Sequence, residues 1–245
     1  MPKWKIVEAP SPEISRDECA ITLILAFSDG NYWHWCASDP SYIVTQTVDD
    51  IPERRLFKTR RWIKRCEVDR RMKAVCAVLN GKVIGYSTWI KPINLAKKQS
   101  WMQCLCRRAL EVKDRMADRM FPTFWIDKER VTELEKTQKA MNDRYFGADG
   151  TDYCWELLEL AILPDFQRQG VGGTLVEWGK EEAQKTGTGV CLYASRLGKG
   201  LYEKKGFTVL DKLHLEEGDS YLNEWLMVWK PEVAEDGDKS EQGKC

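Results

Sequence analysis

The pattern of apolar and polar positions predicts strands and helices in alternation along the N-terminal part of the chain. Runs with a period of two predict strands, and apolar spacings of three and four predict helices. The predicted elements are a strand at Lys5–Ala9, helices at 13–27 and 49–66, and a hairpin of 72–79 and 83–90 joined by Asn80-Gly81. Residues 29–48 have no clear period, so we expect a loop or a broken helix there.

Residues 93–147 form a long, strongly charged insertion between two predicted strands. Lysine, arginine and glutamate alternate there with Leu, Met and Trp, and the only proline is Pro122. The most economical assignment is two helices, at about 95–119 and 127–145. Such helices either cover the substrate side of a site or elaborate the packing, and the pattern favours neither interpretation.

The clearest chemical signal lies in segment 155–207. An apolar strand, 155–163, ends at a proline, and a glycine-rich turn then opens an amphipathic helix. Gly170, Gly172 and Gly173 remove the side chains that would hold an anion away, and the first turn of a helix adds unpaired amide donors and the positive end of its dipole. The segment is therefore predicted to bind a phosphorylated cofactor at the end of a strand.

The spacing of the turn distinguishes between kinds of phosphate-binding loop. Neither Gly-x-Gly-x-x-Gly nor Gly-x-x-x-x-Gly-Lys-Ser/Thr occurs. Residues 167–172, Gln-Arg-Gln-Gly-Val-Gly, fit Gln/Arg-x-x-Gly-x-Gly/Ala and resemble the acetyl-CoA pyrophosphate loop of the GNAT superfamily of N-acetyltransferases. A second strand at 189–195 and the run Leu-Tyr-x-Lys-x-Gly-Phe at 201–207 follow in the family's order. The similarity covers about 70–230 and is closest to fungal small-molecule or uncharacterised members.

The resemblance implies one N-acetyltransferase domain over 1–230, followed by an acidic tail at 231–245 that we expect to be disordered. The implied fold class is α/β (α+β): a GNAT-like mixed, mostly antiparallel central sheet flanked by helices, with the helical insertion at about 93–147. The sheet should splay between strands 155–163 and 189–195, with the cofactor in the gap.

The implied reaction is transfer of an acetyl group from acetyl-CoA, as cosubstrate, to a primary amine of a small molecule or peptide. Attack is expected to be direct, in a ternary complex and without a metal. No cysteine stands in a setting typical of a nucleophile, so we do not expect a covalent acetyl-enzyme.

The resemblance also places the cofactor. The strand backbone should run along the pantetheine arm and the loop should cradle the pyrophosphate, with Arg168 as a mobile charge. Ser195 either hydrogen-bonds the cofactor arm, positions Tyr202 or caps the following helix. The residues assigned to the cofactor are Leu160, Ala161, Ile162, Gln167, Arg168, Gln169, Gly170, Val171, Gly172, Gly173, Thr174 and Ser195.

Two side chains are candidates for proton transfer. Tyr202 looks like the family's general acid, which protonates the departing thiolate. Glu156 falls where some members carry a general base, with Glu159 as the alternative; Glu156 could instead pair with a neighbouring Lys or Arg near the end of the sheet. Strict alternation puts Glu156 on the face of Leu160 and Ile162, and Glu159 on the opposite face.

Composition and charge bear on nucleic-acid and membrane binding, on the redox compartment and on secretion. The net charge is zero over 245 residues, which argues against a dominant nucleic-acid or membrane surface. The nine cysteines are scattered, without paired Cys-x-x-Cys motifs, as expected of reduced thiols in the cytoplasm, with the nucleus left open. The start at Met1–Trp4 is not typical of a signal peptide. Oligomeric state remains open.

A rival interpretation starts from the basic segment 54–73. It holds ten basic residues and two acidic ones, with Phe57 and Trp62 between them. This composition could form a surface for nucleic acid or an acidic partner on a degenerate acetyltransferase fold, but a solvated helix face is favoured because the rest of the chain neutralises the charge.

Overall fold

One seven-stranded sheet organises the chain, in the order β1-β2-β3-β4-β5-β7-β6. The computed structural model describes residues 3–28, 31–38, 45–95, 101–122, 125–147, 151, 154–217 and 220–231. The strands are β1 (Lys5–Ala9), β2 (Met72–Leu79), β3 (Lys82–Ile90), β4 (Trp155–Ile162), β5 (Val190–Ser195), β6 (Thr208–Glu217) and β7 (Ser220–Trp229). The helices are α1 (Arg16–Ala26), α2 (Asn31–Cys36), α3 (Glu53–Val68), α4 (Trp101–Met120), α5 (Lys128–Phe146), α6 (Val171–Lys185) and α7 (Lys199–Lys204).

The sheet confirms the predicted fold class. Its strand pairs are antiparallel except for β4 and β5, which run parallel. The β2–β3 hairpin turns at Asn80 and Gly81, whose φ angles of 50° and 80° are those of a type I′ turn. Among the described residues, none of the helices is long and apolar enough to cross a bilayer.

Helix α6 covers one face of the sheet. Its buried Val171 and Leu175 join the main apolar core with Trp89. A Cβ at Gly179 would lie 2.1 Å from the Trp89 ring, so the missing side chain lets the helix approach β3 closely. This contact fixes the position of the helix that begins at the glycine-rich turn.

The opposite face carries two groups of helices. Helices α1 and α3 pack over β1–β4, and α2 and α5 pack over β5–β7. The two helices predicted for the insertion therefore differ in role. Helix α5 contributes Leu134 and Met141 to this core, while α4 packs on α3 at the periphery.

Several predicted boundaries shift for local reasons. Helix α3 begins at Glu53 because Pro52 is its N-cap, whose extended backbone does not continue a helix. The first insertion helix starts at Trp101, after a 3₁₀ turn at Ile93–Leu95. A short helix, α2, lies in the segment without a period. Beyond residue 231, the predicted tail lies outside the described residues.

Candidate active site

The sheet opens between its two parallel strands. β4 pairs with β5 only at Trp155–Val190, Glu156–Cys191 and Leu157–Leu192, within the part of the chain that the structure describes. β4 continues to Ile162 and β5 to Ser195. The gap thus leaves backbone donors and acceptors of two strand edges available to an extended ligand, which can bind by strand addition.

A β-bulge in β4 corrects the predicted alternation of side chains. Thr88 pairs with Glu159 but Trp89 pairs with Leu157, so Leu158 is an extra residue in β4. Since Glu156 pairs with Ile90, two residues after Thr88, the two glutamates lie on the same face. The prediction that Glu156 and Glu159 point to opposite faces is wrong, because strict alternation does not survive a bulge.

The glycine-rich turn has a strained backbone. Gly170 has a φ of 93° and Arg168 a φ of 56°, both in the left-handed region. Glycine adopts such an angle without steric cost, so position 170 is not strained. Two side-chain amides brace the turn: Gln167 Nε2 donates to the Ile162 carbonyl at 3.2 Å, and Gln169 Nε2 donates to the Asp165 carbonyl at 2.7 Å.

The turn places unpaired backbone amides at the open end of the gap between β4 and β5. α6 begins at Val171, and the first amide with an acceptor is that of Thr174, which bonds the Gly170 carbonyl at 3.1 Å. Val171, Gly172 and Gly173 therefore present unpaired N–H groups at the positive end of a 15-residue helix. This is an anion-binding arrangement.

Gly172 is also a close-packed position. A Cβ there would lie 3.3 Å from Leu201 Cδ2, 3.6 Å from Ile162 Cγ1 and 3.7 Å from Leu160 Cδ2. The absent side chain thus brings α6 close to both α7 and β4, at the site where an anion would meet the amides.

The three β4 residues that were predicted to contact the cofactor differ in how exposed they are. Ala161 is buried under α1 and α3, whereas Leu160 and Ile162 are half-buried against the α6 core. Their backbone is paired with β3 on one side and open toward the gap on the other.

Tyr202 lies in α7 beside the gap. Its ring is buried next to Ala194 in the main core and packs edge-on against Phe207, at 5.8 Å between centroids. Burial raises the pKa of its phenol above the usual value. The phenol therefore keeps its proton at neutral pH.

Ser195 ends β5 and is exposed. Its Oγ accepts from the Gly198 amide at 3.2 Å, and Gly198 is the N-cap of α7. This contact helps to position the helix that carries Tyr202.

The two glutamates of β4 have different surroundings. Glu159 accepts at one oxygen, Oε2, from Trp62 Nε1 at 2.9 Å and from Thr88 Oγ1 at 3.0 Å. Burial raises the pKa of Glu159, and the two hydrogen bonds oppose that shift. Glu156 accepts from Thr151 Oγ1 at 2.7 Å and lies where β4 and β5 still pair.

A third carboxylate lies beside the end of β5, and it was not predicted from the sequence. Glu224 of β7 pairs with Ser195 in register, is 6% exposed and accepts from Gln138 Nε2 at 3.1 Å. Burial raises its pKa to about 7. Its position between Leu222 and Leu226 on one face of a strand was a usable signal, because a charge at an inward position requires an explanation.

A buried tyrosine lies within electrostatic range of two of these carboxylates. Burial raises the pKa of Tyr32 in α2, and the charges of Glu224 and Glu159 raise it further. The helix of the insertion that reaches this region is α5, through Gln138. The face opposite α6 therefore carries carboxyl groups next to the open part of β4.

Most basic side chains of segment 54–73 form hydrogen bonds or ion pairs within the protein. Arg55 is buried and donates to Thr45 Oγ1 at 2.9 Å. Others bind carboxylates of α1, α4 and β1. These ion pairs are Arg60–Asp17, Arg61–Asp114, Arg65–Asp114, Lys58–Asp118 and Lys73–Glu8. This pairing argues against a free nucleic-acid surface on α3.

Comparisons with known proteins agree with this geometry. A family model described as an acetyltransferase (GNAT) domain matches residues 131–209. The comparison with curated proteins found no match.

Solved structures share the fold at low sequence identity. A polyamine N-acetyltransferase of Drosophila melanogaster that forms N-acetylagmatine is 13% identical, with 93% of this chain and 100% of that chain covered and a TM-score of 0.54. Arylalkylamine N-acetyltransferase 2 of Aedes aegypti is 13% identical, with 92% and 99% covered and a TM-score of 0.56. A histone acetyltransferase HPA2-related protein of Corynebacterium glutamicum is 16% identical, with 94% and 97% covered and a TM-score of 0.51.

The matched segment contains the β4–α6 turn, β5 and α7, which are the elements around the gap. Residues 131–209 thus resemble an acetyltransferase (GNAT) domain, and the chain as a whole shares its fold with solved N-acetyltransferases.

Proposed function

We propose that the protein transfers an acetyl group from acetyl-CoA to the primary amine of a small molecule or peptide, by direct attack within a ternary complex. The opening between β4 and β5 is the observation that carries the proposal. It offers an extended pantetheine arm two strand edges, and it ends at the amides of Val171, Gly172 and Gly173, where the pyrophosphate binds.

Tyr202 is the proposed general acid. Its buried phenol lies in α7 beside β5 and keeps its proton at neutral pH, because burial raises its pKa. When the tetrahedral intermediate collapses, the bond between carbon and sulfur breaks and the phenol protonates the departing thiolate. The amide product retains the acetyl carbon.

The proposed base is a carboxylate of β4. Glu156 is the residue that the family resemblance favours. Glu159 is supported by its position beyond the last β4–β5 pair and by burial, which raises the pKa of its carboxyl and makes it more basic. Because both lie on one face, either can take a proton from a substrate ammonium, directly or through water.

The proposed acceptor is a cationic amine. The carboxyl groups of Glu159 and Glu224 are acceptors that an ammonium group would keep ionised, and they disfavour acidic substrates. Two solved structures with this fold act on amines of that kind according to their names, a polyamine N-acetyltransferase and an arylalkylamine N-acetyltransferase.

Gly172→Leu tests the proposed cofactor site. The new side chain meets Leu201, Ile162 and Leu160, and it fills the space beside the loop amides. We expect acetyl-CoA affinity, measured by titration calorimetry, to fall at least about a hundredfold, or about 2.7 kcal/mol. Release of free thiol from acetyl-CoA should be lost with a panel of polyamines, arylalkylamines and peptide amines.

Gly200→Leu is the matched control. A Cβ at Gly200 meets nothing within 4 Å, so the same side chain on α7 should leave cofactor affinity unchanged. Wild-type affinity in a folded Gly172→Leu protein would contradict the assigned loop. Wild-type binding of acetyl-CoA without thiol release for any amine would contradict the catalytic proposal and leave the cofactor site intact.

A further inference from the structure

Helix α4 exposes an apolar stripe that the acetyltransferase site does not explain. Six side chains at spacings typical of one helix face are between 49% and 76% exposed. They are Trp101, Met102, Leu105, Val112, Met116 and Met120. A contiguous exposed apolar surface of this kind marks an interaction site.

The stripe faces away from the domain because the other side of α4 is held by α3. Asp114 is 1% exposed and accepts from Arg61 Nε at 2.7 Å and from Arg65 Nε. Asp118, on the same side, accepts from Arg61 Nη1 at 3.0 Å. The acidic side of the helix is thus consumed by ion pairs within the protein.

Basic side chains border the stripe on both sides. At 100° per residue, exposed Arg108, Arg115 and Arg119 follow one edge and exposed Lys113 follows the other. Lys97 and Lys98 precede the helix in the sequence. Although the chain is neutral as a whole, this surface combines apolar and positively charged groups.

We propose that α4 docks the protein on an anionic lipid surface. Trp101, Leu105 and Met116 would enter the boundary between headgroups and acyl chains, while the flanking cations reach anionic headgroups. A single helix backed by α3 is a ridge, which fits a flat surface better than it fits a partner helix that needs a groove. Two copies packed through α4 would oppose their basic edges.

Sedimentation with lipid vesicles tests the proposal on the full chain. Vesicles of phosphatidylcholine alone are compared with vesicles in which about a quarter of the lipid is phosphatidylserine. We expect binding to the anionic vesicles, weakened by salt. Leu105→Glu/Met116→Glu should reduce partitioning by about tenfold or more. Arg108→Ala/Arg115→Ala should reduce it about fivefold for each charge removed.

The controls separate docking from folding and from catalysis. Val209→Glu/Tyr221→Glu introduces the same charges at exposed positions of β6 and β7 and should bind as the wild type does. Since Leu105 and Met116 are exposed, their variant should unfold at the wild-type temperature and acetylate a soluble amine at the wild-type rate.

Three results would overturn the proposal. The first is that the wild-type protein does not bind anionic vesicles. The second is that it binds both vesicle types equally. The third is wild-type vesicle binding by Leu105→Glu/Met116→Glu. A wild-type dimer in ultracentrifugation that this variant dissociates, without vesicle binding, would assign the stripe to a second copy of the chain.

Discussion

At the scale of single residues, the chemistry depends on which side chains have their proton equilibria shifted by burial. Tyr202 holds its proton more tightly than a free phenol, and Glu159 and Glu224 hold theirs more tightly than free carboxyls. The proposed acetylation uses a neutral acid, Tyr202, and a carboxylate base.

Tyr202→Phe removes the phenolic proton and keeps the ring in its packing against Phe207. We expect kcat to fall by about a hundredfold, because the thiolate then leaves without its acid. The dissociation constant of acetyl-CoA, measured by calorimetry, should stay at the wild-type value. Tyr221→Phe, at an exposed position, is the control. An unchanged kcat in Tyr202→Phe would remove this residue from the mechanism.

Glu156→Gln and Glu159→Gln, compared side by side, identify the base. The substitution of the true base should lower kcat by about a hundredfold or more and abolish the acidic limb of the pH profile of kcat/KM. The other variant should retain that limb, because its carboxylate does not take the substrate proton. If both variants keep the wild-type profile, neither glutamate is the base.

At the scale of elements, the insertion splits into two helices with separate tasks. Helix α5 belongs to the core on the face opposite α6, and its Gln138 donates to Glu224. Helix α4 is attached chiefly by ion pairs with α3. Whether either helix covers a substrate stays a prediction.

Asp114→Asn tests how α4 is attached. The variant removes a buried charge between Arg61 and Arg65, and we expect α4 to lose about 2 kcal/mol of local stability. Hydrogen exchange should accelerate over Trp101–Met120 and stay constant in β2–β4. Asp118→Asn, at a half-exposed carboxylate, should cost less than about 1 kcal/mol. Equal protection in the wild type and Asp114→Asn would show that other contacts hold the helix.

At the scale of the whole molecule, the fold places charge at a cost to its stability. Glu224 is almost fully buried, and its pKa rises from 4.5 to about 7. The folded protein therefore binds this proton more tightly than the unfolded chain does. The protonated Glu224 side chain therefore stabilises the folded protein below pH 4.5. This stabilisation, about 3 kcal/mol, is lost as the pH rises through about 7.

Glu224→Gln removes that titration and keeps the size of the side chain. We expect the free energy of unfolding of the variant, relative to wild type, to increase by up to about 3 kcal/mol between pH 4.5 and pH 8. Urea unfolding at the two pH values measures the difference. The same relative stability at both would mean that Glu224 ionises freely in the folded protein.

The sequence alone determined the features that depend on short-range geometry. The Asn80-Gly81 turn and the glycine-rich loop are specified by neighbouring residues, because positive φ angles and close backbone approach favour glycine wherever they occur. The α/β class and the mostly antiparallel sheet followed from periodicity and from a resemblance that is confined to a short segment.

Only the tertiary structure decided which groups share a surface. The bulge at Leu158 arises in the pairing of β4 with β3, so alternation along one strand could not place Glu156 and Glu159 on one face. Glu224 and Gln138 meet although 86 residues separate them. The outward stripe of α4 exists because Asp114 is bound by α3, and such pairings depend on distances in space that the order of residues does not contain.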